Sequence, residues 1–125
     1  MTTAPEKSAR WPTGIRVTEQ GRLLVITFDT GETHRLRAEY LRVHSPSAEV
    51  QGHSPAGRKV EGGKQDVAIT GAHATGNYAV RLAFSDGHET GIFTWDYLHR
   101  LGAEEASKWP AYLAELAAKG LKRER

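Results

Sequence analysis

Within residues 41–53 the chain places Arg42, His44, Ser45, Ser47, Glu49 and His53, joining two imidazoles, a carboxylate, a guanidinium and two hydroxyls. Imidazole nitrogens and carboxylate oxygens are ligands that borderline divalent metals accept, so His44, Glu49 and His53 are competent metal ligands, although their spacing matches no compact ligand motif. A histidine beside serines also has the makings of a base with its nucleophile. Neither Ser45 nor Ser47, however, lies in the strand-turn-helix elbow of a G-x-S-x-G sequence. Ser45-Pro46-Ser47 then reads as the start of a short helix or turn, with a hydroxyl accepting from free backbone N–H groups.

The second locus is Asp86-Gly87-His88-Glu89-Thr90-Gly91. An earlier copy of the same turn carries Thr30-Gly31-Glu32-Thr33-His34-Arg35, which shows what a purely structural version looks like, and His88 and Gly91 are peculiar to the second copy. Taken by itself, His88 is expected as an exposed turn residue. If the two halves pack as related units, it comes near the loop of residues 45–50. The chain has no cysteine, which removes disulfides, thiol nucleophiles, thiolate zinc sites and self-ligated iron-sulfur clusters, so any metal must be held by His, Asp or Glu. No G-x-G-x-x-G after a strand and no P-loop is present, and no nucleotide site is readable.

The elements that must position these residues are duplicated. Val25-Ile26-Thr27-Phe28-Asp29-Thr30-Gly31 returns as Arg81-Leu82-Ala83-Phe84-Ser85-Asp86-Gly87, and each copy runs through a polar strand to a Tyr-Leu pair, Tyr40-Leu41 and Tyr97-Leu98. Alternation ending in a glycine-containing tip predicts a β-hairpin, because glycine tolerates the positive φ of a tight turn. Leu24, Ile26, Phe28 and Leu36 fall on one face of the first copy, and Tyr78, Val80, Leu82 and Phe84 on one face of the second. Ile15 and Val17 suggest a first strand, with Glu19-Gln20-Gly21-Arg22 as the turn out of it, and Val67 and Ile69 open another strand. Residues 38–42 change to helical rhythm before Pro46, and residues 45–63 are the longest irregular stretch, where a site is most expected. Thr94 is expected to cap a helix over 95–101 that stops at Gly102. Ser107 is expected to cap a separate last helix whose buried stripe is Trp109, Tyr112, Leu113, Leu116 and Ala117, with Pro110 in its first turn and Gly120 as its end. The fold class is sheet-rich α+β: an antiparallel or mixed sheet from two related hairpins, short helices and a C-terminal amphipathic helix.

At 125 residues, with 38% hydrophobic and 26% charged residues, the chain suits one folded domain rather than a disordered one. Residues 1–10 lack periodicity and are expected as a disordered lead-in, residues 11–120 as the domain, and residues 121–125 as a basic tail. Seventeen basic against fifteen acidic residues leave a net charge of only +2. The one clear basic cluster, Lys119, Lys122, Arg123 and Arg125, reads as a solvated terminus complementing a helix dipole, which disfavours nucleic-acid binding. No apolar run approaches the roughly 20 residues needed to span a bilayer, and residues 1–10 lack the apolar core of a signal peptide, so a cytoplasmic protein without membrane contact is expected.

The string at residues 41–53, with Gly76-Asn77-Tyr78-Ala79-Val80 and the run from Asp86 through Ile92-Phe93-Thr94-Trp95-Asp96-Tyr97-Leu98, resembles the gamma-butyrobetaine hydroxylase-like N-terminal domain family. The similarity extends over roughly residues 11–120, to Tyr112-Leu113-Ala114-Glu115-Leu116. The resemblance implies a small sheet-rich domain found alone in bacteria, ahead of the catalytic domain of carnitine-pathway hydroxylases, and fused to P-loop iron-sulfur carrier proteins. In the hydroxylases the domain is non-catalytic and holds a structural zinc through three cysteines and one histidine. Carried over, those cysteines fall on Ser45, Ser47 and Val50, and the histidine on His88. Serine hydroxyls are poor zinc ligands at neutral pH and valine has no donor, so the zinc site is expected to be lost.

The function expected is that of a non-catalytic binding or accessory module without a cofactor. Its surface is formed by Arg42, His44, Ser45, Ser47, Glu49 and His53 with Asp86, His88 and Trp95. The partner implied by the resemblance is an iron-sulfur or oxygenase-related protein. The alternative is a metal protein holding iron or zinc through His44, His53 or Glu49 with His88.

Overall fold

Two copies of a three-stranded antiparallel meander, each followed by a helix, build the molecule. The computed structural model describes residues 11–52 and 59–124; the expected lead-in of residues 1–10, as well as His53 and Arg125, lie outside the described residues. The first meander is β1 (Pro12–Thr18), β2 (Leu23–Phe28) and β3 (Thr33–Arg37), leading into helix α1 (Ala38–Val43) and the single turn α2 (Ala48–Gln51). The second is β4 (Ile69–Thr75), β5 (Ala79–Phe84) and β6 (Gly91–Thr94), leading into the long helix α3 (Trp95–Ala118). The strand orders are β1-β2-β3 and β4-β5-β6, every pair antiparallel.

The duplication goes deeper than the hairpins. The register slips between Pro12 and Gly14 in β1 and between Ile69 and Gly71 in β4, so the same irregularity recurs at the same place. At the tips, Gly31 has φ +93° and Gly87 φ +94°, and their amides donate to the carbonyls of Phe28 and Phe84 at 2.9 and 3.0 Å. Both positions require glycine, because an L side chain is strained at that φ.

Leu24, Ile26 and Phe28 of β2 and Val80, Leu82 and Phe84 of β5 are inward residues of alternating strands, and all belong to one buried cluster. Leu36, Tyr40, Leu41, Phe93, Leu98 and Leu101 complete it, so strands and helices of both copies share a single core. At about 1.5–3 kcal/mol for each large apolar side chain removed from water, this shared core dominates the stability. The ribbons also touch through backbone: the Ile69 amide donates to the Gly21 carbonyl at 2.7 Å.

Several local expectations are overturned. Tyr78 precedes β5 and is 52% exposed, because the turn at Gly76 carries it outside the alternating run. Helix α3 runs unbroken over 24 residues, so Gly102 is not a stop and Ser107 is not a cap. The Ser107 hydroxyl instead donates to the Glu104 carbonyl at 3.1 Å, and Pro110 is tolerated within the helix on an exposed stretch. Gly102 answers to packing: a Cβ there would lie 2.4 Å from Nδ1 of His34. In the last turns Tyr112 and Leu116 are buried with Val43 in a second small cluster, while Leu113 and Ala117 face solvent. Within the basic cluster Lys119 and Lys122 are exposed as expected, whereas Arg123 is anchored. Arg123 grips Glu39 at 3.0 and 2.8 Å through Nε and a terminal nitrogen, and the carbonyls of Lys122 and Arg123 accept from Gly63 and Gln65.

Candidate functional site

The tip of the second meander closes over the segment after α1. His88, expected in solvent, is 7% exposed, and Ser45 is fully buried beneath it, because the α1–α2 segment folds back against the β5–β6 turn. His88 Nδ1 lies 3.2 Å from Oε1 of Glu49 and His88 Nε2 lies 2.9 Å from Ser45 Oγ. The carboxylate accepts, so Nδ1 carries the proton and Nε2 accepts from the serine. The Ser45 oxygen in turn accepts from the Ser47 amide at 3.2 Å. Next to it, the Ser47 hydroxyl caps α2 by accepting from the Glu49 amide at 3.1 Å and lies 2.7 Å from Thr90 Oγ1, which donates to Glu49 at 3.0 Å. The whole chain of hydroxyls discharges onto one carboxylate.

Asp86 braces the tip from below. It accepts from Arg42 Nε at 2.8 Å, from Lys64 Nζ at 2.6 Å and from the His88 amide at 3.1 Å. Burial pushes the Asp86 carboxyl up, but the hydrogen bonds from Lys64, the His88 amide and Arg42 together outweigh it and hold it at about 2. For His88, burial first and the nearby Arg42 charge second lower the pKa against the opposing pull of Glu49 and Asp86, leaving a neutral imidazole at neutral pH.

Ser45, His88 and Glu49 have the connectivity of nucleophile, base and orienting acid. The arrangement is closed, however: Ser45 Oγ has no solvent exposure, and a Cβ on Gly91 would come within 2.4 Å of it. A substrate carbonyl has no approach within attacking distance of about 3–3.5 Å.

The donor set does not suit the structural zinc implied by the resemblance. Of its four positions only His88 offers a nitrogen, Ser45 and Ser47 spend their hydroxyls on each other's neighbourhood, and Val50 is an entirely buried aliphatic side chain.

The remaining sequence-predicted residues are dispersed. His44 Nδ1 donates to the Tyr40 carbonyl at 3.0 Å, and its ring packs on Tyr40 and Tyr112. Trp95 sits at the start of α3, its indole donating to the Asn77 carbonyl at 3.0 Å and its ring against the main core. His44, Glu49 and His88 therefore form no three-ligand group among the described residues. His44 instead lines an open cleft of about 400 Å³ with Pro46, Gln51, Tyr97, Arg100 and Lys108. Arg100 lies 5.4 Å over the Tyr97 ring, and Lys108 pairs with Glu104 at 3.5 Å.

Sequence reasoning missed a second polar cluster, Glu32, His34 and His99, on the first meander's tip. Glu32 and His34 stand two apart at the start of a strand, a spacing that puts them on one face. Nothing local links them to His99 of α3.

The profile of the family described as gamma-butyrobetaine hydroxylase-like, N-terminal, matches residues 15–99. Two structures determined by NMR in solution are similar to the chain. One is 43% identical over 92% of this chain and 90% of its own, with a TM-score of 0.78. The other is 40% identical over 98% and 90%, with a TM-score of 0.80. A crystal structure of a protein of unknown function of the DUF971 family from Acidithiobacillus ferrooxidans ATCC 23270 is 42% identical over 74% of this chain and 93% of its own, with a TM-score of 0.62. No curated protein matches. With the profile covering most of the chain, the protein belongs to the gamma-butyrobetaine hydroxylase-like N-terminal domain family.

Proposed function

We propose that the chain is a non-catalytic binding module that receives a protein partner in the cleft between α3 and the segment of residues 44–51. The observation that carries this reading is the contrast between two neighbouring regions. The Ser45–His88 pair is buried and spends its hydrogen bonds internally, whereas the adjoining cleft is open and lined by the rings of His44, Tyr97 and Tyr112, by Arg100 and Lys108, and by Glu115. Tyrosine and arginine at a concave surface are the residue types that anchor protein interfaces. Arg100 and Lys108 favour an acidic segment with an apolar or aromatic anchor. The partner class, an iron-sulfur or oxygenase-related protein, comes from the family resemblance. No described helix is long and apolar enough to cross a membrane.

The test is affinity capture from cell extract with the wild-type chain and the R100E/K108E variant. Wild type is expected to enrich an iron-sulfur or oxygenase component that the variant loses while keeping its thermal midpoint. Equal capture by both proteins overturns the cleft as the docking surface. Covalent labelling of Ser45 by a fluorophosphonate overturns the non-catalytic reading.

A further inference from the structure

We propose that Glu32, His34 and His99 bind a divalent transition-metal ion of the zinc class, bridging the first meander's tip to the second copy's helix. The three side chains come from the β2–β3 turn, β3 and α3, and their ligand atoms all lie within 4.8 Å of one another. His99 Nε2 is 3.0 Å from Oε1 and 3.1 Å from Oε2 of Glu32, and His34 Nε2 is 4.0 Å from the same Oε2. With metal–nitrogen bonds of about 2.0–2.1 Å, tetrahedral ligands stand about 3.3 Å apart, so an ion fits with small adjustments of the side chains already in place.

A simple ion pair between His99 and Glu32 accounts for only part of this geometry. His34 Nε2 is buried and has no hydrogen-bond partner. A buried polar atom left unpaired is costly and rare, and this one belongs to the cluster it would serve. The fold also goes out of its way to admit the ring. Gly102 leaves the room that His34 fills, since a Cβ there would lie 2.4 Å from Nδ1 and 2.5 Å from Cγ.

The surroundings suit a coordination site. The Thr30 hydroxyl donates to Glu32 Oε1 at 3.0 Å and orients the carboxylate. Phe28 forms an apolar floor, edge-on to both imidazoles at 6.2 and 5.5 Å, and the two rings stand almost perpendicular to each other at 5.4 Å. The histidine side chains are only 18% and 15% exposed, whereas Glu32 is 46% exposed, so the ligands approach from the protein side and leave one flank to solvent. Two imidazoles with one carboxylate select zinc, cobalt, nickel or ferrous iron over magnesium or calcium, which prefer all-oxygen shells.

The test uses tag-free, metal-stripped full-length chain titrated with Zn²⁺ by calorimetry, and with Co²⁺ as an optical probe. One equivalent is expected to bind, with visible Co²⁺ bands of a nitrogen- and oxygen-ligated site. H34A and H99A are each expected to weaken Zn²⁺ binding at least tenfold, and H88A to leave it unchanged. Histidine ¹⁵N spectra of the unmutated protein give a readout independent of variant folding: only the Nε2 resonances of His34 and His99 should move on adding Zn²⁺. Absence of saturable binding, retention of it in the H34A/H99A double variant, or movement of other histidines in place of these two overturns the site.

Discussion

Tyr40 and Tyr97 exchange equivalent hydrogen bonds across the molecule. The Tyr40 hydroxyl donates to the carbonyl of Leu101, one helical turn beyond Tyr97, at 2.6 Å, and the Tyr97 hydroxyl donates to the carbonyl of His44, one turn beyond Tyr40, also at 2.6 Å. The two Tyr-Leu pairs visible in the chain are thus the reciprocal bolts of a pseudo-twofold structure. Removing either hydroxyl should cost about 0.5–1.5 kcal/mol. Y40F should be the more damaging, because its bond is fully buried; urea denaturation of the two single variants ranks them.

Gly102 should resist replacement although it lies within a helix. Alanine is favoured over glycine there by about 1 kcal/mol in intrinsic propensity. The added Cβ would meet Nδ1, Cγ and Cβ of His34, so the whole ring would have to move and not merely its tip. Overpacking of this kind costs about 1–3 kcal/mol, so G102A should be destabilising on balance. A rise in its thermal midpoint would mean that the ring is not seated as described.

Stability should fall with acid through His88. Its folded pKa lies below the ordinary 6.5, so below that value the unfolded chain takes up a proton that the folded chain declines. The contribution is complete above pH 6.5 and is lost as the pH drops through the folded value. Arg42, Glu49 and Asp86 are the charges around the ring, and Asp86, held at about 2, stays ionised through this window. Free energies of unfolding measured from pH 8 to 5 should slope downward, and H88Q should flatten the slope.

Arg123 should matter more than its place near the chain end suggests. It holds both oxygens of Glu39, which is only 5% exposed, and its guanidinium sits 5.3 Å over Trp109. R123A leaves that carboxylate without its bidentate partner, at a cost of roughly 1–3 kcal/mol once the partial exposure of the arginine is allowed for. The loss should be visible as a lower midpoint in calorimetry, with R123K recovering only part of it.

What was legible in the chain was whatever local chemistry decides. Gly31 and Gly87 announced their turns, and the alternation around Phe28 and Phe84 announced strands with one inward face, because backbone sterics and pleat geometry act over a few residues. Gly102 and Ser107 misled for the same reason: each resembles a helix boundary locally, while the first is determined by the ring of His34 from the other copy. The burial of His88 could not be read from its turn, since its partners Ser45 and Glu49 come from a segment about forty residues earlier in the chain. Glu32, His34 and His99 converge only once α3 crosses the first meander.

The crossing of α3 has an architectural corollary. The first copy's tip rests on α3, and the second copy's tip rests on the segment that follows α1. Each repeat therefore carries the stopper for its twin and none for itself. Residues 11–52 hold neither His99 nor Leu101, the groups that Glu32 and Tyr40 engage, so the first repeat is completed by its twin and not by a second copy of itself.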